Sequence, residues 1–224
     1  MNGALAIFVK TPGCSPVKTR LAAELGTEVA ESFHLMASRA VTEVAQAAGK
    51  HSALQCYYAV AEQEALDHAY WQALPCLWQG EGGLGERMAH IYQTLLHQHD
   101  FVMLVGADIP QMTASELQSA AAWLTDHEQA RMAFGPSADG GFWLFGGNCA
   151  VPLKIWTEVT YSVSDTGVQF HNRIEKLGQV HRFATLIDVD EAEDLSALRQ
   201  TLSACSEPLP AQLALSRYLQ SISS

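Results

Sequence analysis

Positive charge is what this sequence has least of. Lys and Arg together number 13 against 24 Asp and Glu, a formal net charge of −11. A general nucleic-acid binder shows a broad basic surface, so the balance argues against that class. It leaves room for a phosphate-bearing small molecule, because charges beyond about 8 Å are largely screened at physiological salt and the local field of a site decides. Cysteine is sparse and odd in number: Cys14, Cys56, Cys76, Cys149 and Cys205, no two at C-x-x-C spacing. That pattern points to reduced thiols in a cytoplasmic protein. No stretch of about 20 apolar residues occurs, so no membrane span is expected. The opening run ALAIFV lacks the basic flank and length of a signal peptide. The Walker loop GxxxxGK[ST], the HExxH zinc motif and the GxSxG nucleophile elbow are all missing.

What is present is an ordinary globular composition, 48% hydrophobic and 17% charged, over 224 residues. That length is ample for a buried core. GALAIFV (3–9), ALQCYYAV (53–60) and FVMLVG (101–106) read as buried strands, with PCLWQ (75–79) a weaker one. RMAFGP and GFWLFGG bracket the polar turn SADG, and HRFATLIDVD (181–190) reads as a late strand. Helical patterns fall at 17–26, 27–49 (capped by Thr27 and ended by Gly49), 62–74, 83–99, 191–202 and 210–222. Another follows Asp108, where Thr113 to Glu116 matches a capping box. Strands alternating with helices predict an α/β fold, a mostly parallel sheet with helices on both faces. Such sheets bind ligands at the carboxyl ends of their strands. That directs attention to the loops after Val9, Gly106 and Ile187.

The first of these loops, KTPGCSPVKTRL (10–21), holds three of the scarce basic side chains, Lys10, Lys18 and Arg20. Backbone N–H groups ahead of a helix can hold an anion, and arginine can grip phosphate oxygens bidentately. Pro12 and Pro16 limit the loop's freedom, so less ordering entropy is lost on binding. The same residues also suit a plain solvated basic loop. In LVGADIPQ an apolar strand stops at Asp108, a natural Mg²⁺ or Mn²⁺ ligand or else a turn-forming cap. In LIDVDEAEDL, Asp188 and Asp190 alternate and so share a side. Such a like-charged pair calls for a cation or a basic partner, unless Asp190 caps the next helix. Asp139, in GPSADGGFWLFGG, suits either a group that takes a proton from an acceptor hydroxyl or an Asp-Gly hairpin turn. Finally, GEGGLG (80–85) fits the dinucleotide pattern GxGxxG. A lone match in a four-glycine segment after a weak strand has little specificity, and it would leave the basic loop without a role.

Taken together these stretches resemble the bacterial glycosyltransferase-A-like proteins of unknown function often called arsenosugar biosynthesis glycosyltransferase-like, in the nucleotide-diphospho-sugar transferase superfamily. The landmarks are KTPGCSPVKTRL, GGLGERM, LVGADIPQMT, GPSADGGFWLFGG and DVDEAEDL, and they cover roughly residues 4 to 200. The resemblance implies a GT-A fold over residues 1–205, followed by a C-terminal helical extension at 206–224. It implies a nucleotide or nucleotide-sugar bound through Lys10, Thr11, Lys18 and Arg20, with Gly83, Gly85 and Arg87 lining the nucleotide pocket. It implies a divalent metal, Mg or Mn, held by Asp108 and Asp190 with Asp188, and Asp139 in the acceptor or sugar region. The chain departs from the family pattern at Ile109-Pro110, Phe142-Trp143 and Tyr161-Ser162, and position 106 is Gly where a full DxD has Asp. The implied activity is transfer of a sugar from a nucleotide-activated donor to an acceptor that the motifs leave open. Nucleotidyl transfer to a sugar phosphate, and nucleotide binding without catalysis, are the alternatives.

Overall fold

The computed structural model describes residues 2–50, 53–125 and 128–222. It is an α/β structure built on a seven-stranded sheet. In chain order the elements are β1 (Gly3–Val9), α1 (Thr19–Leu25), α2 (Thr27–Gly49), β2 (Leu54–Val60), β3 (Cys76–Trp78), α3 (Leu84–Leu96), β4 (Phe101–Gly106) and α4 (Ala114–Leu124). They continue with β5 (Arg131–Pro136), β6 (Phe142–Gly147), α5 (Leu153–Thr157), α6 (Thr166–Ile174), β7 (Gln179–Arg182), α7 (Asp194–Ala204) and α8 (Pro210–Ser221). The strand order is β3-β2-β1-β4-β6-β5-β7, and β6 alone runs antiparallel to its neighbours.

Strand β1 shows why the sheet is a two-sided core. Its alternate residues Leu5, Ile7 and Val9 join Val41 and Val44 of α2 and Leu117 and Leu124 of α4. Ala4 and Ala6 face the other way, with Met88 and Ile91 of α3, Trp156 of α5 and Phe170 of α6. A period of two, apolar on both phases, is what a strand covered on both faces requires. A third cluster joins Leu21 of α1, Phe33 of α2, Leu195 and Leu198 of α7, and Leu215 and Leu219 of α8. Among the described residues, no helix is long and apolar enough to cross a membrane.

Several expected elements are corrected. The helix expected at 62–74 is instead two 3₁₀ turns, Gln63–Ala65 and Ala69–Trp71. Burial overrides local propensity there: Trp71 is sunk in the core, its Nε1 donating to Thr11 Oγ1 at 2.9 Å. The late strand pairs with β5 only over Gln179–Arg182, then touches it again through one bridge, Ser137 with Leu186. Strand β5 ends at Pro136, which has no N–H to extend a ladder. Gly26 caps α2 in place of Thr27. Its φ of 90° suits glycine, and the same residue closes α1 by donating to the Ala22 carbonyl at 2.9 Å. Helices α5 and α6 lie in a stretch for which the sequence predicts no element.

Candidate functional site

Strand β1 pairs in parallel with β2 on one side and β4 on the other. The chain winds outward to β3, then jumps back to β4. This switch point opens a crevice at the carboxyl ends of β1 and β4, where α/β sheets bind ligands. The loops after Val9 and Gly106 meet there. The stretch GEGGLG follows edge strand β3 and reaches the crevice through Leu84.

The first loop is held by its buried member. Thr11 is fully buried; its N–H donates to Glu62 Oε2 at 3.0 Å and its Oγ1 accepts from Trp71 Nε1. Lys10 on one side of it is exposed, and its carbonyl accepts from His34 Nε2 at 2.9 Å. Burial lowers the His34 pKa, which keeps that ring neutral. Lys18 takes a left-handed backbone (φ 43°, ψ 51°) at the point where α1 begins, a region few residues with side chains adopt.

That turn brings Lys18 under the sheet ends. Its Nζ lies 2.6 Å from Asp108 Oδ2, 3.0 Å from Asp190 Oδ1 and 3.3 Å from Asp188 Oδ1, with the lysine side chain only 5% exposed. Burial opposes a charge on Lys18, but the three carboxylates outweigh it and hold the ammonium above the ordinary lysine range. Burial likewise opposes the Asp108 charge, and Lys18 beside it prevails and holds that carboxyl low. Burial, together with the Asp108 charge, pushes Asp188 up to about 8. Arg20 stays in solvent, its Nη1 3.4 Å from Asp190 Oδ2. Asp190 is free for this role because Asp194 supplies the turn ahead of α7: its Oδ2 accepts from the N–H groups of Asp190 and Glu191, both at 2.9 Å. Gly106 also has a reason. A Cβ there would lie 2.8 Å from Asp108 Oδ1, so an aspartate completing DxD would collide with the carboxylate as it is placed.

Two cavities open at this crevice. One, of about 620 Å³, is lined by Lys10, Lys18, Arg20, His34, Gln79 and Asp108 among others. The second, of about 420 Å³, has Asp139, Asp188, Trp143 and Tyr161 in its wall. They share Phe8, Arg20, Leu84, Gly106, Ser162 and Asp190 as a common border. Asp139 spans the β5–β6 turn, its Oδ1 accepting from Ser137 Oγ at 2.6 Å and from the Gly141 N–H at 3.0 Å.

The structure therefore brings together Lys10, Lys18, Arg20, Asp108, Asp188, Asp190 and Asp139, and leaves four expected residues outside the cavity walls. Thr11 lies beneath the loop. Gly83 opens α3, its N–H donating to Glu86 Oε2 at 2.8 Å. Gly85 packs on α5, where a Cβ would meet the Trp156 carbonyl oxygen at 2.4 Å. Arg87 Nε donates to the Gly82 carbonyl at 3.0 Å. Helix α3 contributes Leu84 and Met88 to the second cavity instead. Beyond Tyr161 and Ser162, noted in the sequence as a departure from the family pattern, the structure adds Val163, Ser164 and Thr166 to the second cavity's wall. The one local signal of this segment is a Tyr-Ser-Val-Ser run, and Ser162 in it has a left-handed backbone (φ 62°).

The fold has solved relatives. A candidate nucleotide-diphospho-sugar transferase from Desulfovibrio desulfuricans G20 superposes with a TM-score of 0.85 at 22% identity, covering 99% of this chain and 97% of that one. A CMP:2-keto-3-deoxy-manno-octonic acid synthetase, solved with CTP, gives 0.55 at 10% identity over 91% and 99%. The 4-diphosphocytidyl-2C-methyl-D-erythritol synthase from Anaerococcus prevotii DSM 20548 gives 0.54 at 11% over 98% and 96%. These likenesses establish the fold of nucleotide-binding transferases. No protein among those with curated functions matches this chain. Residues 40–163, more than half of the chain, match the family model described as "Uncharacterized protein conserved in bacteria (DUF2064)", and the protein belongs to that family.

Proposed function

We propose that this protein transfers a sugar from a nucleotide-activated donor to an acceptor hydroxyl. One observation carries the reading: a cavity of about 620 Å³ with Lys10, Lys18 and Arg20 in its wall and a second cavity bearing the Asp139 carboxylate share a border at Arg20 and Asp190. Lys10, Lys18 and Arg20 would hold the diphosphate of the donor, and their charges favour the extra negative charge that grows on it as it departs. The acceptor oxygen forms a bond to the sugar's anomeric carbon, the bond from that carbon to the diphosphate breaks, and nucleoside diphosphate leaves. Asp139 would orient the hydroxyl and take its proton, since its Oδ1 is engaged in the turn and Oδ2 remains for a ligand.

Asp108, Asp188 and Asp190 fit a divalent cation in donor chemistry, with one oxygen from each lying within 4.8 Å of the others. Hard oxygen donors suit Mg²⁺ or Mn²⁺, and such an ion would supply charge stabilisation to the leaving diphosphate. Lys18 Nζ now lies among those same oxygens. Nucleotidyl transfer, with pyrophosphate as the product, is the second reading. It is favoured by Asp190, a late carboxylate on the shared border, joining Asp108 in the wall of the basic cavity.

A thermal-shift screen against nucleoside di- and triphosphates and nucleotide sugars, with and without Mg²⁺ or Mn²⁺, tests the site. A ligand of the folded state raises the midpoint by mass action. The expected result is a nucleotide-dependent shift, enhanced by metal, that Asp108→Ala loses while still folding. Turnover of the stabilising donor should then release nucleoside diphosphate. Release of pyrophosphate would replace the first reading with the second, binding without turnover would leave a nucleotide-binding protein, and no shift with any nucleotide would end all three.

A further inference from the structure

The second cavity is unlike a sugar site. Its wall is largely apolar: Phe8, Leu84, Met88, Phe142, Trp143 and Val163 all contribute. Of its charged members, Arg20 and Asp190 lie on the border with the basic cavity and Asp188 Oδ1 lies 3.3 Å from Lys18 Nζ; apart from Asp139, the other polar side chains of the wall are mostly bonded within the protein already. Tyr161 Oη donates to the Trp156 carbonyl at 2.8 Å, and Trp143 Nε1 to the Ala184 carbonyl at 3.0 Å. Thr166 Oγ1 lies 2.8 Å from the Val163 carbonyl and 2.9 Å from the Thr160 carbonyl, and Ser137 Oγ donates to Asp139. Ser162 and Ser164 belong to the exposed segment at the mouth. A hexose buried here would bring several hydroxyls to a wall with few free partners. Each buried hydroxyl left unpaired costs roughly tenfold in affinity.

The rim carries the same signature. Leu84 is 46% exposed and Val163 is 40% exposed, on two separate segments that both line the cavity. Apolar side chains held in water beside an apolar cavity gain from a ligand that covers them. We infer that the occupant of this cavity is an acceptor with an apolar body, aryl or alkyl, carrying one hydroxyl that Asp139 engages. The inference rests on the transfer reading for the word acceptor. It adds that the acceptor is a hydrophobic alcohol or phenol and not a free sugar. A volume of about 420 Å³ lies in the usual range for small-molecule sites and suits a molecule of two rings.

Calorimetric titration of 4-hydroxybiphenyl and of glucose into the protein tests this, with sodium pyrophosphate as a separate probe of the basic cavity. The expected result is that 4-hydroxybiphenyl binds at least tenfold more tightly than glucose. Val163→Asp should weaken it at least fivefold and leave pyrophosphate binding and the melting midpoint where they were. Val163→Ser, a milder change at the same exposed position, should give a smaller loss in the same direction. Glucose binding as tightly as 4-hydroxybiphenyl, or a phenol affinity indifferent to Val163, overturns the inference. The two readings fail separately. Pyrophosphate binding without phenol binding removes only the apolar acceptor. Phenol binding without pyrophosphate binding keeps the apolar site and removes the nucleotide.

Discussion

Lys18 is the residue on which the site turns. Its ammonium touches all three carboxylates that would hold a divalent cation, so ammonium and cation compete for one set of oxygens. At 4 Å a unit charge is worth about 4 kcal/mol at an effective dielectric constant of 20. Lys18→Met should therefore raise the Mn²⁺ affinity of the nucleotide-free protein by at least about tenfold, read by electron paramagnetic resonance of free Mn²⁺. The same variant should bind nucleotide more weakly, because a phosphate partner is gone. Equal Mn²⁺ affinity in both proteins would mean that Lys18 leaves the carboxylates at no cost, and the competition would be discarded. Much of this site was legible in sequence because scarcity made it so: three of 13 basic residues fall in one loop, and Asp108 and Asp188 each end an apolar run. What sequence could not tell is that Lys18 points inward at the aspartates while Arg20, two residues on, stays in solvent. A left-handed backbone at a lysine leaves no mark in the spacing.

At the scale of elements, the glycines of α3 change meaning. GGLG reads as a nucleotide loop, yet Gly85 is where α3 and α5 cross closely, with the Trp156 carbonyl and the Tyr161 ring against the position of a Cβ. On helix propensity alone Gly85→Ala would stabilise by about 1 kcal/mol. The contact predicts the reverse. A methyl group forced against backbone should cost about 1–3 kcal/mol, a fall of several degrees in midpoint for a chain of this size, and calorimetry distinguishes the two signs. The same contact explains what was hidden. Long periodic stretches such as 27–49, and the capping box at Thr113 and Glu116, announce their helices. Helix α5, Leu153–Thr157, is too short to show a period. The tight crossing at Gly85 that fixes its neighbour involves residues some 70 positions apart in the chain. The misread segment 62–74 fails for the complementary reason. Its helical composition yields to Trp71, whose indole must reach Thr11.

At the scale of the whole molecule the question is where the structure ends. The sequence suggests a domain to residue 205 with an appended helix, and the packing of that helix argues for one unit. Helix α8 buries Leu215 and Leu219 against α2 and α7. Its Gln212, 2% exposed, donates through Nε2 to the carbonyls of Pro110 at 2.8 Å and Met112 at 3.1 Å, both in the loop that follows Asp108. The Ala211 N–H donates to Glu43 Oε2 of α2 at 2.6 Å. The terminal helix thus braces the loop that presents a site aspartate and the helix that bonds the basic loop through His34. Leu215→Ala should then cost about 2–5 kcal/mol, the usual range for emptying a buried leucine site, and the loss should appear in a single cooperative transition that carries the whole chain. If residues 206–224 were a separate appendage, the main transition would stay where it is in the wild type and only a minor, earlier one would move. Denaturant melts followed by tryptophan fluorescence separate the outcomes cleanly, because all five tryptophans, the last at position 156, lie outside the appended segment.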